Sequence, residues 1–162
     1  MQKITPFLWF DQNCEEALNF YVSIFKNVKI VSIKRYPEGI TEGPMKGMDG
    51  KVLTAVFELE GQSFMALDGG PVFKPTAAVS FYIEVDTQEE IDHYWNKLSE
   101  GGDPKMQQCG WVMDKYGFSW QVIPKVLPEL LNDPDKEKAD KALQAMLKMK
   151  KIDIAGLKQA VE

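Results

Sequence analysis

Leu8-Trp9-Phe10-Asp11-Gln12-Asn13-Cys14-Glu15-Glu16-Ala17-Leu18-Asn19-Phe20-Tyr21 has a counterpart in Glu84-Val85-Asp86-Thr87-Gln88-Glu89-Glu90-Ile91-Asp92-His93-Tyr94-Trp95. Each stretch closes an apolar run with an Asp and then opens a helix. The helical parts superpose at a constant offset of 74 residues. Asn13 and Thr87 each stand three residues before a Glu, Glu16 and Glu90, so a capping box is expected at both helix starts. Ala17, Tyr21, Ile24 and Phe25 recur at helical spacing after the first start, and Ile91, Trp95 and Leu98 after the second. The Gly101-Gly102 pair ends the second helix.

Strands follow each helix. Val28 to Tyr36 is β-branched and alternating, and Val52–Leu59 and Ser63–Leu67 pair across a turn at Glu60-Gly61. In the second half Trp111–Met113 and Phe118–Ile123 pair across Asp114 to Gly117. Gly61-Gln62-Ser63-Phe64-Met65 and Gly117-Phe118-Ser119-Trp120-Gln121 align at an offset of 56, shorter than the helical one, so the second unit has lost a loop and part of a strand. The expected class is α+β: two βαβββ modules, about 1–72 and 73–124, forming a curled sheet cleft, with C-terminal helices over 125–162. In that extension Ala139, Leu143, Met146 and Leu147 form a stripe suited to packing on the domain or across a dimer interface rather than to a peptide groove.

The chain of 162 residues carries 19 Lys and Arg against 24 Asp and Glu. A net charge of −5 disfavours nucleic acid and anionic membranes as partners. No run approaches the roughly 20 apolar residues that span a bilayer, and no basic-then-apolar leader is visible, so a cytoplasmic protein is expected. Cys14 and Cys109 are far apart, lack metal-ligand spacing, and read as a reduced pair. Cys14 has two readings: a thiol activated by the helix dipole, or a small core residue. His93 beside Asp92 is conceivable as a general base, with a surface or sheet-edge position as the plainer reading. The segment Pro37–Lys51, with four Gly and two Pro, is expected to be a lid carrying Lys46 toward an anionic group, or else a disordered surface excursion.

The segments Ile4–Asp11, Glu15-Glu16-Ala17, Phe20-Tyr21, Phe64–Pro71, Cys109-Gly110-Trp111 and Tyr116–Gln121 together resemble the vicinal-oxygen-chelate superfamily of glyoxalases, bleomycin-resistance proteins and extradiol dioxygenases. Within it the chain is similar to the PhnB-like branch, often labelled demethylubiquinone methyltransferase-like. The resemblance implies a homodimer and four inward-facing positions that hold a metal where a member uses one. Those positions fall on Thr5, Met65, Ser80 and Gln121. Two hydroxyls, a thioether and an amide coordinate a divalent ion too poorly, so neither a metal nor another cofactor is expected.

Strand alternation completes the cleft with Phe7, Trp9, Tyr82 and Glu84, an aromatic wall with few polar groups that suits a small organic molecule. Glu84 is the better acid or base there. The same large side chains could instead fill a closed core. Three functions follow: a metal-independent binding protein; a superfamily enzyme of the isomerase, lyase or dioxygenase type; or a structural homodimer. Methyl transfer lacks support, because no Gly-x-Gly turn for S-adenosylmethionine occurs in the chain.

Overall fold

The computed structural model describes residues 2–162. The chain forms two compact units that divide after Pro75. The first contains β1 (Phe7–Phe10), α1 (Cys14–Ile24), β2 (Val28–Arg35), β3 (Val52–Leu59) and β4 (Gln62–Asp68). Its sheet has the order β1-β4-β3-β2, with β1 parallel to β4 and the other pairs antiparallel. Leu8, Phe10, Ala55, Phe57, Phe64 and Ala66 are buried together with Ala17, Leu18, Tyr21 and Ile24 of α1, so period 2 in the strands meets period 3.6 in the helix.

The second unit contains β5 (Ser80–Val85), α2 (Gln88–Ser99), β6 (Trp111–Met113), β7 (Ser119–Pro124) and helices α3 (Val126–Leu131), α4 (Lys136–Leu147) and α5 (Ile154–Ala160). Its sheet has three strands in the order β5-β7-β6. The counterpart of β2 is reduced to one bridge, Gln108 to Trp111, which is the trimmed strand expected from the short offset. Ile91, Tyr94, Trp95 and Leu98 bury the inner side of α2.

Two local expectations need correction, and a third, the α4 stripe, is met only in part within the chain. Thr87 and Glu90 form the expected capping box, but Asn13 makes no side-chain cap. The first N–H of α1 is taken instead by Asp68, whose carboxylate accepts from Cys14 N at 2.8 Å and from Val52 N at 2.9 Å. The Pro37–Lys51 segment is not a disordered excursion. Asp49 accepts from the Gly39 and Ile40 N–H groups, Met48 is buried, and Tyr36 N bonds Lys51 O at 2.9 Å. On α4 the buried side chain is Ala142; Leu143 and Leu147 are exposed. The small residue lets the helix approach its neighbours closely, and the long ones fall one position round the wheel.

Candidate functional site

In each unit one sheet face packs against its own helix; the other is partly exposed, although in the second unit Ser119 and Ile123 are buried on it. In the first unit the uncovered face is set by the register Phe7 with Met65 and Trp9 with Leu67, continued by Met65 with Val56. Register partners point the same way, so Phe7, Trp9, Met65, Leu67 and Val56 share that face. Phe7 is 49% exposed and the others are half-buried. Thr5, half-buried just before β1, leads into this face, and Pro6 O accepts from Met65 N at 2.9 Å. Trp9 is held rigidly: its indole N–H donates to the Gly70 carbonyl at 2.9 Å, and Phe73 meets the ring edge-on at 4.9 Å. Gly69 is required there, since a Cβ would lie 2.1 Å from the indole.

In the second unit the registers Ser80 with Ser119, Tyr82 with Gln121 and Glu84 with Ile123 put Ser80, Tyr82, Glu84 and Gln121 on one face. Gln121 Nε2 donates to Ser80 Oγ at 2.8 Å. Partial desolvation, then the Glu84 charge, raises the Tyr82 phenol above its ordinary pKa. Trp111, opposite Gln121 in the ladder, adds an aromatic surface that the sequence reading missed. Its alternation with buried Val112 was the available signal, weakened because β6 is only three residues long. The opposite face carries Phe81 against Trp120 at 5.0 Å, and the Trp120 indole donates to buried Asp114 at 2.8 Å.

The other candidates resolve as follows. Cys14 is fully buried, and its thiol is pushed up to about 12, chiefly by burial and then by Asp68 and Glu15. The activating reading fails because burial, and then the carboxylate that caps the helix, disfavours a thiolate. His93 is half-buried, with its ring edge-on to Tyr94 at 5.1 Å. Glu60, left-handed at φ 47°, serves structure: its carboxylate accepts from Lys26 N, Asn27 N and the Asn27 amide. A polar hollow of about 480 Å³ at the start of α1 is lined by Glu15, Arg35, Lys51 and Asp68, with Arg35 clamped on Glu15 by two hydrogen bonds.

Among the described residues, no group of three or more His, Cys, Asp or Glu side chains is placed to hold a metal. Thr5 with Met65, and Ser80 with Gln121, offer hydroxyl, thioether and amide atoms, a donor set that does not fit a divalent cation.

A β-α-β sheet module, repeated with β1–β4 and β5–β7 as equivalent parallel pairs, is the architecture of the vicinal-oxygen-chelate, or glyoxalase-type, superfamily. The chain belongs to its PhnB-like family described as 3-demethylubiquinone-9 3-methyltransferase, which matches residues 2–123. A PhnB protein structure from Bacillus cereus is 44% identical over 76% of this chain and 99% of that one, with a TM-score of 0.67. Protein PA1353 from Pseudomonas aeruginosa shares 23% identity over 76% and 98% of the two chains, at a TM-score of 0.58. A fosfomycin resistance protein, FosX, from Listeria monocytogenes, complexed with Mn(II) and sulfate, is 14% identical over 81% and 96%, at a TM-score of 0.52. The last two show the fold alone. No curated protein matches the chain. No helix among the described residues is long and apolar enough to cross a membrane.

Proposed function

We propose that this chain binds a small, largely apolar organic molecule without a metal, on the sheet faces that carry Thr5, Phe7, Trp9 and Met65 in the first unit and Ser80, Tyr82, Glu84 and Gln121 in the second. The observation that carries this reading is the half-exposed aromatic surface left on the side of each sheet away from its helix. Such faces are costly to leave wet, and Trp9 is fixed in place rather than free to collapse. The Gln121–Ser80 pair supplies an oriented polar contact. Methyl transfer, named in the family description, is disfavoured because neither sheet is the doubly wound parallel type that seats S-adenosylmethionine on a glycine turn. A cytoplasmic homodimer is the proposed state, supported by exposed Ile4, Val72 and Phe73.

A second reading is favoured by Glu84 standing beside Tyr82 on β5. An isomerase, lyase or dioxygenase of the superfamily could use that carboxylate as its acid or base. Native mass spectrometry of freshly purified protein reads subunit number, bound metal and any retained molecule together. Fluorescence titration with 8-anilinonaphthalene-1-sulfonate then tests the faces: Trp9→Ala and Tyr82→Ala should each weaken the dye at least about tenfold, on the order of 1.4 kcal/mol. Unchanged affinity in both overturns the assignment, and stoichiometric metal overturns metal independence. Turnover lost in Glu84→Gln with dye affinity kept selects the enzyme reading.

A further inference from the structure

The family match ends at residue 123, leaving α3 to α5 outside it. These helices are nonetheless built into the second unit. Leu127, Ala142, Ile152 and Leu157 are buried. The stretch between α4 and α5 is fastened residue by residue. Gln108 Nε2 donates to Leu147 O at 3.0 Å, Cys109 N to Met149 O at 2.9 Å, and Gly110 N to Lys150 O at 2.7 Å. Lys151 pairs with Asp92 at 2.6 Å. Gln88, at the start of α2, uses both ends of its amide: Nε2 donates to Ile152 O at 3.1 Å and Oε1 accepts from Ile154 N at 3.0 Å.

What this stretch grips is the turn that begins β6. Cys109 and Gly110 have φ of 49° and 83°, and Gln108 and Trp111 exchange bonds of 2.8 and 3.1 Å, which makes a two-residue type I′ hairpin turn. The two central N–H groups of such a turn point away from the hairpin and need outside acceptors. Here the C-terminal segment supplies both. The hairpin needs the help. β6 has three residues and, among the described residues, its outer edge has one ladder bridge, to Gln108, whereas β3 in the first unit is flanked by the eight residues of β2. A ladder so short is marginal by itself. Side-chain packing agrees, since a Cβ on Gly110 would lie 2.5 Å from Ile123 Cδ1 and 3.2 Å from Ile152 Cγ1.

We propose that residues 125–162 are a built-in clamp that stands in for the missing fourth strand of the second unit, with Gln88 and Gly110 as positioning residues. The clamp fixes the Gln108–Trp111 turn and through it Trp111 and Gln121, which share a ladder position and a sheet face. Its consequence for ligand binding rests on the function proposed above; the clamp itself does not.

The test is hydrogen exchange on the full chain, comparing wild type with Gln88→Glu, which keeps the acceptor for Ile154 N and turns a carboxylate on Ile152 O. The reporters are the Gln108 and Trp111 N–H groups, bonded to each other's carbonyls inside the hairpin, and the Val122 N–H of β7, bonded to Gly110 O, rather than those bonded to the clamp. They should exchange at least about tenfold faster, while Cys14 and Val52 in the first unit keep their rates. Lys151→Ala, a surface change that spares the fold, should give a smaller acceleration at the same three amides. Faster exchange confined to residues 148–162 in both variants makes the helices an appendage and overturns the clamp. Dye titration with 8-anilinonaphthalene-1-sulfonate separates the two proposals. Positioning predicts that Gln88→Glu and Trp111→Ala weaken binding non-additively, the second adding little to the first; additive losses contradict it. Accelerated hairpin exchange in a protein that binds no dye leaves the clamp standing and removes the ligand reading.

Discussion

The two units solve the same local problem by different means. At the start of α1 the first N–H is taken by Asp68, 54 residues away, whose other oxygen holds the start of β3. At the start of α2 the work is local: Thr87 and Glu90 cap each other's backbone, and Glu90 also accepts from Asp86 N. Asp68 occupies the ladder position next to Phe10, and the equivalent position next to Val85 is Pro124. Without a carboxylate there, the second helix has to cap itself. The difference shows how a duplicated module diverges: the same helix origin is kept, while its anchor shifts from a long-range contact to a short one.

The largest expected effect tests that contrast. Asp68→Ala leaves two buried N–H groups without an acceptor and should cost about 3 kcal/mol in urea unfolding, whereas Glu90→Ala should cost about 1 kcal/mol. Equal losses would mean that the long-range anchor is no stronger than the local box. Next come two glycines. A Cβ at Gly102 would stand 2.0 Å from the Met113 carbonyl oxygen, which is backbone and cannot swing away; at Gly69 it would meet the Trp9 ring, a side chain that can yield only by giving up its Gly70 bond. Gly69→Ala should cost about 1–3 kcal/mol and shift tryptophan emission as Trp9 leaves its Gly70 bond, and Gly102→Ala should cost more. A smaller loss at Gly102 breaks this ordering.

The duplication, the stripes of α1 and α2 and the alternation of the strands were legible in the sequence, because each rests on local periodicity. Leu8 and Phe10 are buried while Phe7 is exposed, as alternation requires. What was illegible depended on contacts between distant residues. Nothing near Asn13 announces that Asp68 displaces its cap, and nothing near Cys14 announces the same carboxylate beside its thiol. The two grips on the β6 turn were hidden for a related reason: Gln88 looks like an ordinary first-turn helix residue until Ile152 and Ile154 arrive on either side of its amide. The faces proposed to bind a small molecule lie between these cases. Alternation names their side chains, but the Trp9–Gly70 bond that fixes the wall is a long-range contact.

Cys14 gives a contrast in reactivity. Its raised value of about 12 means that the folded state keeps a proton that the unfolded chain gives up near its ordinary value. Stability from this source is therefore present at neutral pH and falls as pH rises from about 9 toward 12. A Cys14→Ala chain should lose that alkaline decline in a denaturation series. Cys109, half-buried in the second unit, should react with a disulfide reagent at pH 8 while Cys14 stays silent until unfolding. Two thiols titrating in the native state would contradict the burial argument.

The smallest effects belong to two exposed ion pairs, Arg35 with Glu15 in the first unit and Lys125 with Asp86 in the second. Arg35 holds Glu15 by two hydrogen bonds of 2.7 and 2.9 Å, whereas Lys125 meets Asp86 by one contact of 2.8 Å. The Arg35 hydrogen bond lowers the Glu15 pKa, so this pair stabilises above the ordinary carboxylate range and its contribution is lost as pH falls through the lowered value. Solvent and salt screen both pairs, and ordering two long side chains offsets much of the attraction. Arg35→Ala should therefore lower Tm only slightly, more at low than at high salt, and Lys125→Ala less still. The fork geometry of arginine decides the order: two parallel bonds resist the fluctuations that open a single lysine contact. A larger loss for Lys125→Ala would show that the Asp86 junction between β5 and α2 carries strain that the capping box alone does not hold.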